Sequence, residues 1–210
     1  MASSGLYRWA GYAGIVGAIL LVLGEWMHPQ SLAAANRGTW ELAHELIFCS
    51  IILAITAIFA LYARQARETG TLGLLGFVLI FIGLMGFSGI VWFEAFVTPA
   101  LVGDAAAFAA VEKLYSGEMA SSVLPVLMAS SVAFSLGWLL FGWATARAGV
   151  LPRTAAYVAL VGGVFFGLGP LLFAGVPILD KVAATLFGVG FAWLAWALTT
   201  ERRMMIASSS

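Results

Sequence analysis

The chain has 210 residues, 62% of them hydrophobic and only 10% charged, and its ten basic and ten acidic side chains balance. A soluble domain runs close to a quarter charged, so a surface this poor in charge excludes an ordinary water-soluble fold and makes lipid the natural solvent. Zero net charge with no Lys/Arg cluster excludes a nucleic-acid partner, and the single cysteine, Cys49, excludes an intrachain disulfide or a CxxC metal or redox motif.

Crossing hydrocarbon takes about 20 consecutive apolar residues as helix. Six segments qualify, at about 7–28, 41–63, 71–98, 121–146, 154–175 and 179–200. The expectation is an all-α polytopic bundle in a single domain, 1–210. In the first span, Arg8 precedes the apolar run Ala10–Leu23, and Ser31 to Ala35 offers a loose A-x-A site. Glu25, Trp26, His28 and Pro29 stand between the two, so this is read as an uncleaved span rather than a signal peptide. Ala10, Gly14 and Ala18 recur four apart and suit close helix packing.

Span two opens on Trp40, Glu41, His44 and Glu45 and closes on Leu61-Tyr62-Ala63-Arg64. Cys49 lies inside it and reads as a small buried hydrophobe. The charged stretch Arg64–Gly70 separates it from span three, whose Gly83, Gly86 and Gly89 mark a second packing face. The longest connection, Pro99–Glu118, predicts a short amphipathic helix at about 104–116, capped by Asp104, with Phe108, Val111, Leu114 and Tyr115 on the face laid against the outer membrane surface or the bundle. Pro125 and Pro170 predict kinks in spans four and five. Ser121, Ser122, Ser130, Ser131 and Ser135 in span four either line a polar seam or bond the preceding turn of their own helix. Pro152 suits the first turn of span five, where Gly163 and Gly167 are four apart. The stretches Ala66-Arg67 to Gly70 and Ala146-Arg147 to Gly149 echo one another as connections between apolar spans.

The arginines orient this bundle. With the N-terminus inside, inner segments hold Arg8, Arg64, Arg67, Arg147, Arg153, Arg202 and Arg203, and outer segments hold only Arg37, Lys113 and Lys181. Both termini are therefore expected on the cytoplasmic side of a prokaryotic cytoplasmic membrane. Trp26, Trp40 and Trp92 fall near the outer boundary, as an interfacial belt does.

Ionisable residues gather in one place. Glu25 and His28 end span one, Glu41, His44 and Glu45 begin span two, and Glu94 ends span three. Counting about 1.5 Å per residue puts all six at one depth near the outer interface. Three readings stay open: a metal or haem site built from imidazole and carboxylate, a pocket for a small apolar ligand in which Glu25, His44 or Glu94 supplies hydrogen bonds, and a solvated, structural helix end. No phosphate-binding loop, nucleophile elbow or zinc-protease motif is present, and no ionisable group lies at mid-membrane. The balance favours a small non-enzymatic binding or accessory subunit, with lipid and a larger complex or second copy as partners.

His28-Pro29, Trp40 followed by Ala43-His44, Leu61-Tyr62-Ala63-Arg64 and Arg147-Ala148-Gly149-Val150-Leu151-Pro152 together resemble a group of bacterial six-span integral membrane proteins. That likeness implies the helical fold and carries over no activity and no residue role.

Overall fold

The computed structural model describes residues 2–29, 37–101, 105–116, 123–172 and 176–207. Every element among them is helical: α1 (Ala2–Met27), α2 (Arg37–Phe96), α3 (Thr98–Leu101), α4 (Ala105–Ser116), α5 (Val123–Ala148), α6 (Arg153–Leu172) and α7 (Pro177–Ala207). Among the described residues, four helices, α1, α2, α5 and α7, are long and apolar enough to cross a membrane, and α6 carries a shorter apolar stretch, Arg153–Gly169.

α2 holds 60 residues, about 90 Å if straight, which is some three times the thickness of a hydrocarbon core. It is not straight. Gly70 has φ 56° and ψ −150°, a region closed to side chains bearing a Cβ, and the chain reverses there. Phe59 packs on Phe77 and Phe81 at ring-centroid distances of 4.9 and 5.6 Å, and Tyr62 stacks on Phe77 at 4.6 Å. Those pairs straddle residue 70 symmetrically, so α2 is an antiparallel hairpin with arms 37–69 and 71–96. The expected loop Arg64–Gly70 is therefore helix up to Thr69. Gly149, the other positive-φ glycine among the described residues (φ 66°), makes the turn between α5 and α6.

Neighbouring helices close a ring in one chain: α1 packs on the first arm of α2, the second arm on α5, α5 on α6, α6 on α7, and α7 back on α1. Small residues set the spacing. A Cβ on Gly14 would lie 2.7 Å from Ala195 and 2.8 Å from Ala57, and one on Gly83 would lie 2.7 Å from the Phe134 backbone nitrogen. Gly86 meets Ser130, Gly163 meets Trp138 and Gly167 meets Ser135, whereas Gly89 faces open space and does not pack. The outside of the ring is apolar, with Trp9, Ile19, Ile52, Val189 and Trp196 all at least half exposed.

Several local features depart from expectation. Pro125 falls in the first described turn of α5. Pro152 stands just before α6, and its carbonyl accepts from Ala156 N at 3.1 Å, which opens the helix as its position in the sequence suggests. Cys49 is exposed on the outer surface of the bundle rather than buried. Ser130 donates to Val126 O at 2.6 Å within its own helix, and Ser135 crosses to Val164 O on α6 at 3.2 Å; no continuous seam forms from the described serines. The side chains of Arg37, Phe108, Tyr115, Pro170, Arg202 and Arg203, together with Ser31 to Ala35, Asp104, Glu118, Ser121, Ser122 and Gly175, lie outside the described residues. Among the described residues of α4, Val111 is buried and Lys113 exposed.

Candidate functional site

The ring encloses a cavity of about 380 Å³. Its interior is apolar and largely aromatic, with Phe87, Phe134, Trp138, Phe166, Phe187 and Phe191 among the walls. These rings pack edge-on and stacked around one another, Trp138 to Phe187 at 5.0 Å and Phe187 to Phe191 at 5.7 Å, which fixes the wall in place. The other end is polar, formed by Glu25 and His28 from the end of α1 and by Asp180 and Lys181 from the start of α7. The two helices meet there because Lys181 Nζ donates to Trp26 O at 2.9 Å and Trp26 Nε1 donates to Thr185 Oγ1 at 3.0 Å.

A second polar layer stands beside His28. The His28 and His44 rings are 4.7 Å apart, and His44 stacks on Trp40 at 4.2 Å with 23° between planes. His44 is 1% exposed. Its Nδ1 lies 2.7 Å from Trp40 O, and since a carbonyl only accepts, Nδ1 holds the proton of that bond. In the neutral ring, Nε2 then offers a lone pair toward Glu94 Oε2, 3.4 Å away. No hydrogen bond joins them, which leaves Nε2 buried and unbonded. Two acceptors face one another, and only a proton on one of them makes the contact attractive.

The structure thus brings Glu25, His28, His44 and Glu94 to one end of the bundle, and Glu25 lies within electrostatic reach of Glu94, Asp180 and Lys181. Glu41 is half-buried and Glu45 exposed, and neither lines the cavity. Sequence reasoning missed Asp180 and Lys181 as members of the site. The signal was available: an acid–base pair at the start of an apolar span, at the same depth as the Glu/His group. Among the described residues no three His, Cys, Asp or Glu converge to hold a metal ion. The two imidazoles touch, so no porphyrin fits between them.

No family model, curated protein or solved structure matches the chain.

Proposed function

We propose that the protein is a six-span bundle of the prokaryotic cytoplasmic membrane that binds a small apolar molecule in its central cavity, acting as a binding protein and not as a catalyst. The observation that carries this reading is a ligand-sized apolar cavity, ended by a few ionisable groups and walled by every helix of a closed ring. Pockets for small molecules run from about 300 to 1,000 Å³ with mostly apolar walls and a few polar groups that fix orientation. Because the ring closes within one chain, binding needs no partner subunit.

Six spans follow if each arm of α2 crosses once and α6 crosses alongside α7. Orientation follows from charge. Arg64, Arg67 and Arg147 lie at the level where Gln65 Nε2 donates to Thr145 Oγ1 (2.8 Å), opposite the Glu/His end, and the basic end faces the cytoplasm.

The test is retention of a ligand through purification in a mild detergent. Organic extracts of the wild-type protein are expected to contain a small apolar molecule in near-stoichiometric amount. Extracts of Ala54→Phe, which fills the cavity from the first arm of α2, are expected to lack it. Identical extracts from the two folded proteins would overturn the reading.

A further inference from the structure

Unbonded acceptors dominate the polar end of the cavity. No hydrogen bond reaches the Glu25 carboxylate among the described residues, although Glu25 lines the cavity. Asp180 also lines it, and its Oδ1 is buried and unbonded. Behind them the buried His44 Nε2 is unbonded as well. Lys181, the one described lysine or arginine that lines the cavity, spends one of its three N–H donors on Trp26 O and sits 5.8 Å from the Trp26 ring centroid. Among the described residues that line the cavity, two carboxylates, Glu25 and Asp180, thus stand against one ammonium. Groups left this way inside a low-dielectric site are costly unless something supplies donors and positive charge.

Below this end the cavity is long and mostly apolar. It reaches from Ile47 to Ile58 along the first arm of α2, on the order of 16 Å at 1.5 Å per residue. Its deep walls are aromatic faces, which take an alkyl chain or an aryl group equally well.

Resting on the ligand-binding reading above, we propose that the occupant is an amphiphilic amine, with an apolar tail among the aromatic walls and a protonated N–H head between Glu25 and Asp180. The head supplies what the site lacks: a positive charge against the acid excess, and N–H donors for both carboxylates. Charge-assisted bonds of this kind are the strong ones. A fatty acid would set an anion against both carboxylates, and a quinone would bring only further acceptors.

The experiment uses the full chain in phosphatidylcholine nanodiscs, with three probes of equal tail length: dodecylamine, dodecanol and dodecanoate. The shift in thermal midpoint with probe concentration gives an apparent affinity. Wild type is expected to bind the amine about tenfold or more tighter than the alcohol, with the acid weakest. Glu25→Gln and Asp180→Asn, near-isosteric changes that leave the walls intact, are each expected to shrink that preference several-fold while dodecanol binding stays. Ala54→Phe, with Val91→Phe as a second cavity-filling variant, is expected to abolish both. Equal affinity for amine and alcohol, or an amine preference unchanged in both carboxamide variants, would overturn the amine assignment and leave the pocket standing. Midpoint shifts that survive both cavity-filling variants would mean that the probes act through lipid, and the pocket reading would fail with the amine.

Discussion

Trp40 and His44 work as a clasp between the two arms of α2. The Trp40 indole donates to Glu94 O at 2.8 Å, one of the last carbonyls of α2, a position where the helix itself runs out of donors. Trp40→Phe keeps a ring against His44 and leaves that carbonyl short of a partner, so it is expected to cost about 1–2 kcal/mol. His44→Ala removes a fully buried ring stacked on Trp40 and in contact with His28 and opens a void, a loss of about 2–4 kcal/mol. Unfolding in graded denaturing detergent should rank the variants in that order. Dodecylamine binding by His44→Ala should persist, because His44 stands behind His28 and does not line the cavity. Depth counting from the arginines finds Glu25, His28, His44 and Glu94 in the sequence, since depth is a linear property. It also draws in Glu41 and Glu45, because spacing shows which residues share a face and not which face turns inward. Trp40, His44, Ile47 and Ile51 are the buried stripe, while Leu42, Glu45 and Ile52 are exposed.

At the scale of elements, the turn at Gly70 carries the most information per residue. Its φ of 56° with ψ of −150° is nearly exclusive to glycine, and a Cβ there would meet no other atom within 4 Å. Any penalty for Gly70→Ala is therefore conformational, about 1–3 kcal/mol. Gly89→Ala makes a clean contrast. Gly89 sits inside helix, and a Cβ added to it would also have nothing within 4 Å, so alanine is expected to stabilise by about 0.5–1 kcal/mol. Thermal midpoints should move in opposite directions, and a shift of the same sign for both would refute the Gly70 geometry. The existence of the hairpin is legible as a charged, glycine-bearing break between two apolar runs. The continuation of helix up to Thr69 is not, because the polarity of Arg64–Thr69 suggests a loop although no residue in it stops a helix.

For the whole molecule, the proposed six crossings make a prediction that four crossings do not. A reporter at the C-terminus does not discriminate, since four and six crossings both return the chain to the side it began on. The side of α4 does discriminate. If both arms of α2 cross, α4 follows three crossings and lies opposite the N-terminus. If α2 counted as one crossing, α4 would follow two and lie on the N-terminal side. Cys49 is the only cysteine, so Cys49→Ser gives a background free of thiols. In that background Ala109→Cys on α4 and Arg67→Cys near the Gly70 turn both replace exposed residues. A membrane-impermeant maleimide added to intact cells is expected to label Ala109→Cys, and to label Arg67→Cys only after the membrane is opened. The reverse pattern would invert the orientation drawn from the arginines. Protection of both sites until lysis would put α4 and the Gly70 turn on one side, and the second arm of α2, which joins them, could then not cross the membrane.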